Sequence, residues 1–160
     1  MVSAGDKAPQ LKLTDRDGKP VKLSDFKGKK LVLYFYPRDL TPGCTREACA
    51  FQSDLAEFEK RGVAVAGVST DDARSHRKFS EKHGLTFPLL SDADHATSES
   101  FGVWQEKNMY GRKVWGIKRT TFIIDERGRI AHVFERVSPP EHSREVLDVL
   151  DRLSGARVEE

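Results

Sequence analysis

Cysteine is nearly absent from this chain: Cys44 and Cys49 are the only two in 160 residues. So few cannot frame a disulfide scaffold, which leaves stability to a buried core and points to a reducing cytosol. There, a cysteine pair is more often catalytic, redox-sensing or metal-binding than structural. Long hydrophobic runs are missing as well. No stretch approaches the roughly 20 apolar residues of a membrane-spanning helix, and the small or polar residues after Met1 lead into no apolar segment, so no signal peptide is expected. Charge bias is missing: 27 Lys+Arg against 25 Asp+Glu leave a net +2, too even for a nucleic-acid footprint. The cysteines do not repeat at zinc-site spacing, and His76, His83, His95, His132 and His142 are scattered, so no metal is expected. Repeats, low-complexity tracts and linkers are lacking too. The 38% hydrophobic and 32% charged residues that remain fit one globular domain over residues 1–160.

Periodicity orders the elements. Leu11 and Leu13, then Val21 and Leu23, alternate with polar residues around Asp15-Arg16-Asp17-Gly18, which predicts an N-terminal hairpin. Ser24 or Asp25 is placed to cap a short turn ending near Gly28. Leu31–Tyr36 and Val63–Ser69 are apolar enough for buried strands. Asp71 or Asp72 opens a helix that Gly84 ends. Thr86–Leu90 contains Pro88, so it is expected at an edge or a strand end. A short helix is expected over residues 96–101, and residues 102–118 are read as a loop with one hairpin. Glu126-Arg127-Gly128 joins two further strands. Ser138-Pro139-Pro140-Glu141 has the pattern of a capping box before a final helix whose face is Val146, Leu147, Leu150 and Leu153. Strand–helix–strand–helix followed by an antiparallel hairpin predicts an α/β fold with a mixed sheet flanked by helices.

The stretch from Tyr34 to Cys49 concentrates the chemistry. A buried strand ends at Pro37, and Pro42 suits the first position of a helix. Ala48, Phe51, Leu55 and Phe58 continue that helix to a stop at Gly62. Cys44 therefore sits in a first helical turn, where unpaired N–H groups and the helix dipole favour a thiolate. The functional residues of open α/β sheets gather at this end of the strands.

Pro37, Thr41 and Cys44 form P-x-x-x-T-x-x-C, with Glu47 three residues further on and Cys49 two beyond that. This stretch resembles the active site of peroxiredoxins, thiol peroxidases that use no prosthetic group. With its second cysteine it is most similar to the bacterioferritin comigratory protein (peroxiredoxin Q) subfamily, over about Gly5 to Leu153. The resemblance implies a thioredoxin-like fold, Cys44 as the peroxide nucleophile and Cys49 as the resolving thiol. It implies that Thr41 hydrogen-bonds the thiolate or peroxide and that Pro37 shields the thiolate. It places an active-site arginine at Arg119, with Lys118 as the rival position. Glu47 would orient Arg119 or Arg46. Each residue also has a plainer reading: Cys49 in the core, Thr41 in an ordinary turn, Arg119 in a surface ion pair, Glu47 as a solvated carboxylate.

The implied substrates are hydrogen peroxide and alkyl hydroperoxides, and the implied reductant is a thioredoxin- or glutaredoxin-type protein acting on a cytoplasmic monomer. A general thiol–disulfide oxidoreductase is the alternative, against which the absence of C-x-x-C counts. A peroxide-sensing or chaperone-like protein with the same cysteines is a third. Five residues along a regular helix rise about 7.5 Å. A disulfide cannot join Cα atoms more than about 7 Å apart. A bond between Cys44 and Cys49 therefore requires the helix start to open.

Overall fold

The chain begins with the expected hairpin, β1 (Leu13–Thr14) against β2 (Pro20–Val21), around a turn in which Asp15 Oδ1 accepts the Asp17 and Lys19 amides. The computed structural model describes residues 1–158. A single 3-10 turn, Leu23–Phe26, follows; Asp25, rather than Ser24, closes it by accepting the Lys22 N–H.

β3 (Lys30–Phe35) is apolar on both faces because both are covered. Its alternation divides the core in two. Val32 and Tyr34, with Tyr36 just beyond, face a layer built from Ala48, Phe51, Phe58, Phe79 and Val146; Leu31, Leu33 and Phe35 face Leu11, Leu13, Phe101 and Phe122. β4 (Val63–Ser69) runs parallel to β3, from Lys30↔Val63 to Phe35↔Val68. Gly67 on β4 lies under the Tyr34 ring; a Cβ there would stand 2.8 Å from Tyr34 Cζ, so only glycine fits.

A single helix was expected from Pro42 to Gly62. Instead α1 (Pro42–Ser53) and α2 (Leu55–Lys60) are separated at Asp54. The Asp54 carboxylate accepts the Ser143 hydroxyl of the last helix at 2.8 Å, a tertiary contact that periodicity does not reveal. α3 (Ala73–His83) is capped by Asp72, whose side chain accepts the Ser75 N–H, and ends at Gly84 in the left-handed region, φ +63°. β5 (Leu89–Ser91) lies between β4 and β1, so it is interior. Pro88 is at its end, outside the ladder, and its carbonyl accepts the Gly67 N–H. α4 (Ala96–Phe101) follows a turn in which Asp92 accepts the Thr97 and Ser98 amides.

The region read mainly as a loop is a regular hairpin, β6 (Trp104–Met109) with β7 (Arg112–Ile117). Tyr110 and Gly111 at its tip both have positive φ, 53° and 78°, as a tight two-residue hairpin turn requires. β8 (Thr120–Ile124) and β9 (Ile130–Phe134) form the predicted late hairpin. The last helix, α5 (His142–Val158), starts after Glu141, not at Ser138. Residues 138–141 make a separate turn closed by the Glu141 N–H on the Ser138 carbonyl. Seven of the described strands form one mixed sheet in the order β2-β1-β5-β4-β3-β8-β9, with helices on both faces.

Candidate active site

Strand register assembles the site. The Tyr36 amide still donates to Val68 O, so pairing continues one residue past β3. Pro37 has no N–H and ends it. β8 is antiparallel to β3 with Phe35 opposite Thr120, so the residue before β8 lies beside the loop that leaves β3. That residue is Arg119. Successive side chains alternate sides. Lys118 turns outward and its Nζ reaches Glu135 Oε1 at 3.3 Å on the surface, which rules it out of the site.

The loop reaches α1 through Leu40, a non-glycine residue in the left-handed region at φ +64°, and Thr41, whose extended backbone makes it the residue before the first helical turn. Pro42 occupies the first helical position and Cys44 the third. Cys44 is 1% exposed, and its Sγ lies 3.2 Å from Arg119 Nη2. Arg119 Nη1 donates to Glu47 Oε1 at 2.6 Å. The guanidinium lies close over the helix start: a Cβ on Gly43 would come 3.3 Å from Arg119 Nη2.

Glu47 is fully buried, not solvated, and it pairs with Arg119 while Arg46 is exposed. Burial pushes its carboxyl up to about 7, against the pull of Arg119. Its second oxygen has no partner among the described residues. For Arg119, burial opposes the charge, but Glu47 and Cys44 outweigh it and the net displacement is upward. The guanidinium stays a cation in this site.

Thr41 does not hydrogen-bond Sγ. Its hydroxyl donates to the Arg38 carbonyl at 3.0 Å, which commits its proton and leaves its lone pairs free to accept. Pro37 is half-buried at the loop's start. Cys49 is half-buried in α1, and both cysteines are free thiols.

Several neighbours were not legible in the sequence. Lys107 on β6 is held below the usual lysine range by burial and then by Arg119, with Cys44 opposing, which places it within the field of the site. His142 is buried with Nε2 2.7 Å from Thr121 Oγ1, and burial followed by Arg119 holds its ring down at about 4, hence neutral. Tyr36, Asp39 and His76 form a buried cluster under the loop. Residues scattered from 36 to 142 share no spacing that would have found them.

This geometry presents a buried sulfur at a helix N-terminus, a fixed cation against it and a carboxylate holding the cation. Such a site stabilises a thiolate and can polarise a bound oxygen. The AhpC/TSA family model matches residues 4–133. The chain belongs to the AhpC/TSA family. Among its relatives, it is 45% identical to peroxiredoxin Bcp of Bacillus subtilis over 96% of this chain and 98% of the relative. It is 46% identical to peroxiredoxin Bcp of Escherichia coli K12, over 93% and 96%. Among solved structures, a cysteine-to-serine variant of PrxQ from Xylella fastidiosa matches with a TM-score of 0.87 at 39% identity, covering 96% and 98% of the two chains. The Xanthomonas campestris bacterioferritin comigratory protein, known for alkyl peroxide reduction, matches at 0.85 and 39%, covering 93% and 98%. The fold is the thioredoxin-like fold of peroxiredoxins, and the protein is a thiol peroxidase that acts on peroxides at the expense of a thiol reductant.

Proposed function

We propose that Cys44 is the peroxidatic nucleophile of this peroxiredoxin and Cys49 its resolving thiol. The observation that carries the assignment is the Glu47–Arg119–Cys44 chain, 2.6 and 3.2 Å, at the start of α1. The Cys44 thiolate attacks the terminal oxygen of a hydroperoxide. The O–O bond breaks as the S–O bond forms, and the departing oxygen leaves with a proton as water or an alcohol. Arg119 donates to the oxygens as charge moves onto the leaving one. Thr41, its own proton committed to Arg38, accepts from the hydroperoxide O–H. Pro37 limits the water that reaches the sulfur.

The Cys49 thiolate then attacks the sulfenic sulfur, releasing water and forming a disulfide. Both cysteines lie in α1, five residues apart. The Cα separation in a regular helix, roughly 8–9 Å, is too wide for that bond, so the first turns of α1 open for this step. A thioredoxin- or glutaredoxin-type dithiol restores both thiols. The Xanthomonas relative supports alkyl hydroperoxides as substrates beside hydrogen peroxide. We place this enzyme in the cytoplasm as a monomer of one domain; among the described residues no helix is long and apolar enough to cross a membrane.

Counting free thiols after stoichiometric peroxide tests the assignment. The parent protein loses two thiols per chain and turns over when a dithiol protein is added. Cys44→Ser loses none and does not turn over, because a hydroxyl with no adjacent base is a poor nucleophile. Turnover retained by Cys44→Ser overturns it.

A further inference from the structure

The loop carrying the start of α1 is fastened at one point, Asp39. This carboxylate is 5% exposed, and three donors converge on it. Tyr36 Oη reaches Oδ1 at 2.6 Å; Ser75 Oγ and His76 Nδ1 reach Oδ2 at 2.8 and 2.7 Å. His76 is fully buried, and its other nitrogen, Nε2, lies 3.1 Å from the Leu90 carbonyl. Both ring nitrogens thus face acceptors, the Asp39 carboxyl on one side and the Leu90 carbonyl on the other, so the ring bridges the loop to β5. The Asp39 backbone is held as well: its N–H donates to Asp71 Oδ2 at 2.8 Å, and Ser69 Oγ donates to that same oxygen at 2.7 Å.

Side chain and backbone of one loop residue are thus tied to β4, to α3 and, through His76, to β5. The next residue, Leu40, is 44% exposed in the left-handed region, and α1 begins two residues later. None of the groups on Asp39 touches the sulfur, so the Cys44 chemistry leaves this network unused.

We propose that the Tyr36–Asp39–Ser75–His76 cluster is the latch that holds the loop in its peroxide-reducing geometry, and that Asp39 and His76 are positioning residues which set how readily α1 opens for resolution. This rests on the assignment of Cys44 and Cys49 above. The latch has opposite effects on the two steps. Holding Pro42, Gly43 and Cys44 against Arg119 favours attack on the first peroxide. It also delays Cys49. A sulfenic acid that waits meets a second hydroperoxide, which transfers one oxygen to sulfur and leaves as the alcohol, giving sulfinic acid. The ratio of disulfide to sulfinic product therefore reads the latch directly.

The test uses full-length protein, cumene hydroperoxide as probe and intact-mass analysis of the product ratio over a range of peroxide concentrations. Tyr36→Phe and Ser75→Ala each remove one donor and keep the packing; Asp39→Asn removes the charge. The mild variants are expected to raise the disulfide-to-sulfinic ratio about tenfold, the factor that one hydrogen bond to a charged group is worth. They lower the peroxide rate constant at the same time, and Asp39→Asn moves both further. A merely structural cluster would lower the melting temperature and the rate while leaving the ratio where it is. An unchanged ratio in the well-folded Tyr36→Phe and Ser75→Ala variants overturns the latch. A parent protein that forms no Cys44–Cys49 bond overturns the cysteine assignment instead.

Discussion

Glu47→Gln isolates the energetics of the site. In the folded protein the Glu47 carboxyl is displaced upward to about 7 by burial, with Arg119 opposing. In the unfolded chain it titrates near 4.3, as a free glutamate does. Between those values the native state holds a proton that the unfolded chain has given up, so this group's contribution to stability is full below about 4.3 and is lost as pH rises through about 7. About 2.7 units at about 1.36 kcal/mol each amount to roughly 3–4 kcal/mol. His142 works the other way. Burial and then Arg119 hold its ring at about 4, against about 6.5 when free. Its contribution is present above about 6.5 and disappears as pH falls through about 4, again by roughly 3 kcal/mol. The two slopes oppose each other where their windows overlap, between about pH 4.3 and 6.5, so a variant is needed to expose either one. Glutamine keeps an acceptor for Arg119 Nη1 and cannot ionise. Urea unfolding of parent and Glu47→Gln from about pH 4.3 to above about 7 gives a stability difference that moves against the parent by roughly 3–4 kcal/mol as pH rises, while Glu47→Gln alone grows more stable. A difference that stays constant with pH refutes the burial of an ionising Glu47.

Arg119→Ala removes the donor 3.2 Å from Cys44 Sγ and is expected to slow the peroxide step by about 10- to 100-fold, a range set by one hydrogen bond to a charged group; a stopped-flow rate equal to the parent's moves the role elsewhere. Arg119→Lys keeps the charge but loses the two-pronged geometry that joins Glu47 to Cys44, so it recovers only part of that rate. Cys49→Ser consumes its first peroxide normally, then stalls or proceeds to sulfinic acid; normal turnover with thioredoxin as sole reductant contradicts the resolving role. Amide exchange before and after peroxide treatment should show protection lost over residues 44–55; equal protection, with the disulfide confirmed by mass, refutes the opening of α1.

The elements that were legible in the sequence are those whose signal is local. Asp72 and Gly84 bound α3 because a cap and a left-handed residue act within a few positions of the backbone they serve. The β8–β9 hairpin follows from its Asp125–Gly128 turn, in which the Gly128 N–H donates to the Asp125 carbonyl. Pro42 two residues ahead of Cys44 is likewise enough to place that sulfur in a first helical turn.

What lay outside the sequence depends on contacts between distant residues. Nothing near Asp54 announces that the helix breaks there or that its carboxylate meets Ser143, 89 residues away. Arg119 could be distinguished from Lys118 only by resemblance, because the choice rests on the β3–β8 register and on which side of the chain each residue faces. Thr41 shows the limit most plainly: its spacing from Cys44 is local, yet its hydroxyl proton goes to Arg38, since side-chain direction is decided by the loop's folded path. That path is held by Asp39, His76 and Asp71, which meet only after β4 and α3 have packed against β3. The sequence by itself determined that Cys44 stands in the first turn of a helix that follows a buried strand. Only the tertiary structure decided which cation meets that sulfur, that Glu47 is buried, and what fastens the loop, because burial and ion pairing belong to the space between elements and to no single one of them.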